Sequence, residues 1–99
     1  MLSDASIEVF CSWLCTHEHD GVGHPGTCFH SPLAQWLSEM TGHVYGIDGK
    51  CYGRASHDPR HWLVLPRWAE LFTTWIEVYA FRPITGSEAL EVLARVELA

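Results

Sequence analysis

Apolar residues recur at helical spacing in four stretches of the chain and alternate in one. Ile7, Phe10, Cys11 and Leu14 stand at i, i+3, i+4 and i+7, which predicts a helix over residues 4–15. Ser3 or Asp4 is the expected N-cap. Val9 and Trp13 form a second apolar strip, so this helix is expected to be covered on more than one side. A second helix begins at Pro32 behind the N-cap Ser31 and carries Leu33, Trp36, Leu37 and Met40 on one face. Gly42 supplies its left-handed C-terminal residue. The longest periodic run, residues 66–81, places Trp68, Leu71, Phe72, Trp75, Ile76 and Tyr79 on one stripe between Pro66 and Pro83. The last helix opens with a capping box, Thr85 at the N-cap and Glu88 three residues on, with Ile84 and Ala89 as the hydrophobic staple. Its inward positions are Ala89, Leu90, Leu93 and Val96.

Between the second and third helices the period changes from helix to strand. Residues 44–47 and 50–53 flank Asp48-Gly49, a hairpin signal. A two-residue turn there sets Ile47 opposite Lys50 and Tyr45 opposite Tyr52. Both tyrosines then share a face with Ile47. The other face holds Val44, Gly46, Cys51 and Gly53, small enough for another element to approach closely. A lone hairpin is marginal in water, so it must pack on the helices. Residues 61–65 read as a short third strand. The sum is an α+β fold: a single globular domain over residues 1–99, with four helices and a small antiparallel hairpin or three-stranded sheet packed on them.

Composition restricts the partners. Twelve acidic side chains against six basic ones give a net charge of −6, with one lysine in the chain. Phosphate backbones and anionic lipid surfaces reward clustered Lys and Arg, so the expectation is no nucleic acid and no membrane. Hydrophobic residues make up 47% of the chain, enough for a core that folds without a metal or disulfide. The first residues, Met1-Leu2-Ser3-Asp4, lack the basic stretch of a secretory signal, so a cytoplasmic setting with reduced thiols is expected.

Candidate chemistry crowds into residues 11–30. Gly21, Gly23, Pro25 and Gly26 break the apolar period there and predict a long loop. The stretch holds Cys11, Cys15, His17, His19, His24, Cys28 and His30. Cys thiolate and His imidazole are the usual zinc ligands. The candidate zinc set is Cys11, Cys15, Cys28 and His30, with His17, His19 and His24 as alternates. Two features oppose it. The donors are not arranged in standard C-x2-C pairs, and Cys11 lies on the apolar stripe, where a free cysteine is simply a small hydrophobe. A Cys–His nucleophile would need a stabilised thiolate and an oxyanion hole, and nothing in the pattern selects one pair. In the cluster Ser56, His57, Asp58 and His61, His57 and Asp58 read as solvated turn residues and His61 as the anchor of the segment before the next helix. Trp36 and Trp62 are the candidate protein-binding residues, since tryptophan is enriched at interface hot spots.

These readings lead to one expectation and two alternatives. The expectation is a small acidic, non-catalytic protein-binding or adaptor domain, with a homodimer as one way to bury excess apolar surface. The first alternative is a zinc module built on residues 11–30. The second is a small phage- or defence-related inhibitor, whose acidity suits a basic partner.

Overall fold

Phe10 is the point on which the helices converge. In the computed structural model, which describes residues 2–79 and 82–98, its ring is fully buried. It lies 5.0 Å from the ring of Trp36, 5.8 Å from that of Trp68 and 5.1 Å, edge-on, from Phe72. Each contact of this kind adds about 0.5–1.5 kcal/mol beyond the area buried. Three helices are thereby tied to one side chain: α1 (Ser6–Cys15), α2 (Pro32–Thr41) and α3 (Arg67–Trp75). The fourth, α4 (Gly86–Leu98), closes the core with Ala89, Val92, Leu93 and Val96. The fold is α+β, four helices with small antiparallel sheets. No helix among the described residues is long and apolar enough to cross a membrane.

The helix ends follow from local chemistry, with two exceptions. Ser31 caps α2 by accepting from the Ala34 N–H, Pro32 follows it, and Gly42 ends the helix at φ 75°. Met40, expected on the inward stripe, is instead 60% exposed, because the stripe leaves the core one turn before the helix ends. In α1 neither Ser3 nor Asp4 acts as the cap. Ala5 holds that position without a side-chain hydrogen bond, and Ser3 and Ser6 bond to each other's backbone instead. Trp13 packs against the core edge, whereas Val9 is exposed.

The third helix is shorter than its periodicity implies. After Trp75 the backbone tightens into a 3-10 turn over Ile76–Tyr79. Three residues per turn replace 3.6, which leaves Ile76 buried and turns Val78 to solvent. The expected continuation to residue 81 falls on Ala80 and Phe81, outside the described residues.

The hairpin forms, with a register two residues away from expectation. Strand β2 (Tyr45–Asp48) pairs with β3 (Cys51–Arg54), setting Ile47 opposite Tyr52 and Tyr45 opposite Arg54. The turn residues are therefore Gly49 and Lys50, not Asp48 and Gly49. Gly49 has φ 61°, and among the described residues no non-glycine has a positive φ. This matches a type II′ turn, which needs φ > 0 only at its first central position. A turn centred on Asp48-Gly49 would put Asp48 there too. A slip of two residues preserves the faces. Ile47 and Tyr52 still point together into the core, and Gly46 still shares the other face with Gly53. A third strand, β4 (Leu63–Val64), joins the edge of β3.

Residues 16–30 are more ordered than the break in periodicity implies. Strand β1 (Gly21–Gly23) pairs antiparallel with β5 (Ile84–Thr85), and Val22 and Pro25 are buried. The segment also completes the start of α4. The Gly86 and Ser87 amides, which no helical carbonyl can serve, donate to the Asp20 and Glu18 carbonyls. The Glu88 amide is served by Thr85 Oγ1, and Glu88 Oε1 accepts from the Thr85 amide, the reciprocal pair of a capping box.

Candidate functional site

The donors of residues 11–30 are dispersed by the elements that hold them. Cys11 and Cys15 sit one turn apart on α1, Cys11 within electrostatic reach of Glu97 of α4 and Cys15 exposed. Cys28 lies against the hairpin, where its carbonyl accepts from the Ile47 amide at 2.8 Å. His30 is exposed, and its carbonyl accepts from the His24 amide at 2.6 Å. The His24 ring is bonded to the Pro25 carbonyl at 3.1 Å, and His19 is exposed. His17 packs its ring on Trp13 and approaches Asp20 at 3.4 Å. Among the described residues no group of three or more His, Cys, Asp or Glu side chains converges as a metal shell. The set Cys11, Cys15, Cys28 and His30 is thus not assembled. Its first two members belong to α1, while its last two belong to a loop pinned to β2.

Electrostatics bear on the cysteines as nucleophiles. Burial pushes the Cys28 thiol above its ordinary pKa. The Ile47 N–H works against that shift and Asp48 adds to it. Burial also raises the Cys11 thiol, with the neighbouring Cys15 sulfur and Glu97 acting in the same direction. An activated nucleophile requires the opposite shift.

The two tryptophans separate. Trp36 is 4% exposed and belongs to the core around Phe10, so this chain already covers it. Trp62 is half-buried and lies over the glycine face of the hairpin, its Nε1 donating to the His57 carbonyl at 3.3 Å. Beside it, Phe29 reaches over Gly46. His57 and His61 are exposed, and Asp58 caps a short 3-10 turn while pairing with Arg60. That cluster is a turn held by its own side chains.

Among the described residues several concavities remain, and two of the larger ones bear on binding. A polar cleft of about 450 Å³ lies between the hairpin turn and α3, with Asp48, Lys50, Glu70 and Glu77 around it. Lys50 and Glu70 approach to 3.8 Å across it, both with substantial exposure. The second is an apolar groove of about 590 Å³ between the 3-10 turn after α3 and the far end of α4. Trp75, Val78, Tyr79, Val92 and Leu98 line it, and Arg95 is the charged residue at its wall. Trp75 is 36%, Val78 69% and Leu98 89% exposed, so the groove presents large apolar groups to solvent.

Sequence reasoning missed this groove because Trp75 stands on the core stripe and Leu98 lies near the chain end. The available signal was Val78, an apolar residue off the stripe of its own helix.

No family model matches the chain, and neither does any curated protein or solved structure.

Proposed function

We propose that the protein is a non-catalytic protein-binding domain of the cytoplasm, acting through the apolar groove between α3 and α4. The observation that carries this reading is the convergence of Trp75, Val78 and Leu98, all solvent-exposed, on one concavity. Exposed apolar groups scattered singly are ordinary. Several lining one groove mark a binding surface. Trp75 is the natural anchor, since a tryptophan ring supplies large contact area at low entropic cost. With a net charge of −6, the domain favours a partner that brings an apolar segment flanked by basic residues. Self-association through the same groove is the homodimeric form of this reading, opposed by the like charge of the two copies.

The test is a pair of measurements on wild type and Val78→Asp. Sedimentation equilibrium over a wide concentration range reads self-association. Selection from a random peptide-display library reads hetero-partners. The expected result is apolar, basic-flanked peptides whose binding the substitution abolishes, or a dimer that it dissociates. A monomeric wild type that selects no groove-dependent peptide overturns the reading.

A further inference from the structure

Arg54 is a half-buried cation with no carboxylate partner among the described residues. It ends β3 opposite Tyr45, on the same face of the strand as Tyr52. Its Nη2 donates to His43 Nδ1 at 3.0 Å, which supplies an acceptor but no fixed negative charge. Its Nε is buried and has no hydrogen-bond acceptor. The other described arginines stand differently. Arg60 pairs with Asp58 and Arg82 with Glu88, while Arg67 and Arg95 are exposed. A guanidinium donor held out of water is costly unless something accepts from it.

A pocket of about 200 Å³ opens at this end of the sheet, with Tyr45, Arg54 and Trp62 among its walls and the exposed His57 and His61 beside them. No Asp or Glu is among the described residues that line it, and Arg54 is its one permanent charge. Asp58, next to His57 in the chain, is engaged by Arg60 at 2.8 Å. The net charge of −6 belongs to the whole chain, and exposed charges more than about 8 Å away are screened at physiological ionic strength. The local field therefore favours an anion.

Three properties of the pocket define which anion fits. A guanidinium offers its N–H donors in a planar fork that matches carboxylate or phosphate oxygens. A single permanent charge balances a monoanion, which favours a carboxylate over a doubly charged phosphate. Tyr45 and Trp62 supply ring surface for a flat apolar body. The volume is below the roughly 300–1,000 Å³ of sites for drug-sized ligands, which restricts that body to a single ring.

We propose that this pocket binds a small aromatic monocarboxylate, its carboxylate on Arg54 and its ring against Tyr45 and Trp62. The site shares no lining residue with the α3–α4 groove and does not depend on a partner bound there.

The experiment is a pair of NMR titrations of the whole, nitrogen-15-labelled chain, one with benzoate and one with benzamide. Benzoate is expected to shift the Trp62 indole N–H and the Arg54 Nε–H signals along one saturation curve. Its dissociation constant should be about 1 mM, the scale for one ring held by one charged contact. The Trp75 indole, in the other groove, should stay in place. Benzamide has the same shape without the charge and should bind at least about tenfold more weakly. Arg54→Gln should weaken benzoate to the same degree, and Arg54→Lys, which keeps the charge but not the fork, by less. Arg95→Gln should bind as wild type does. A dispersed spectrum verifies that each variant is folded, and the benzamide comparison needs no variant. A benzoate response that never saturates, equal affinity for benzamide, or undiminished binding by Arg54→Gln would each overturn the proposal.

Discussion

The indole of Trp62 lies directly on the backbone of Gly53: a methyl group placed on that glycine would sit 2.5 Å from Trp62 Cγ and 2.8 Å from Nε1. A methyl group on Gly46, paired with Gly53 across the hairpin, would likewise lie 2.8 Å from Cη2 of the same ring. The hairpin is therefore covered on both faces, by the helical core on one side and by Trp62 on the other. Gly53→Ala is expected to cost about 1–3 kcal/mol, the range for overpacking. In a Trp62→Ala background the same substitution should cost much less, since the obstructing ring is gone. A double-mutant cycle by urea denaturation measures the coupling, and equal costs in both backgrounds would refute the contact.

Gly86 offers a sharper steric case. A methyl group there would run into the His17 carbonyl, 2.6 Å from its carbon, and would lie 2.8 Å from the carbonyl oxygen of Leu14. Both obstacles are backbone, so no side chain can swing away. The contact joins the carbonyl end of α1 to the amide end of α4, opposite ends of two helix dipoles. Gly86→Ala is expected to destabilise at or above the upper end of the roughly 1–3 kcal/mol overpacking range. A methyl group on Gly21 would meet no atom within 4 Å, which makes that residue the control. Gly21→Ala should shift the urea midpoint little, and comparable losses at both sites would contradict this account.

Phe10 and Met40 differ in what their loss should cost. Phe10→Ala removes a fully buried ring from contact with Trp36, Trp68 and Phe72 and should cost about 3–5 kcal/mol. Met40→Ala, at a residue 60% exposed, should stay within about 0.5 kcal/mol. Thermal and urea unfolding of the two variants provide the comparison.

Glu88 gives the fold a defined acid sensitivity. Hydrogen bonds from Arg82 and from the Thr85 amide hold its carboxyl down to about 2, against an ordinary value of 4.5. The folded state thus prefers the ionised form. The resulting stabilisation is complete above pH 4.5 and is lost as pH falls from there toward about 2. Wild type should exceed Glu88→Gln in urea midpoint at pH 7, with the gap closing across this window. A gap unchanged between pH 5 and pH 2 would show that Glu88 ionisation does not contribute.

The split between what was readable in the residues and what was not follows the range of each interaction. The sequence by itself determined the features set by neighbours within a few residues: the Ser31 and Thr85–Glu88 caps, the left-handed Gly42, the hairpin and the identity of its glycine face. It also indicated the apolar stripes of α1, α2 and α4, because periodicity is a local property. Only the tertiary structure decided the rest. Residues 21–23 carry no periodic signal, yet pair with residues 84–85 because the amides of α4 need the loop's carbonyls. The turn moved to Gly49-Lys50 because the only glycine available for a positive φ must come first. Trp36 went to the core, Trp62 to the hairpin and Trp75 to the surface, although all three are the same residue type in apolar company. Cys11 and Cys15 stayed together because one helix carries both, while Cys28 went with its loop to β2. Proximity in the chain predicts proximity in space only within one element, and beyond that the packing of elements decides.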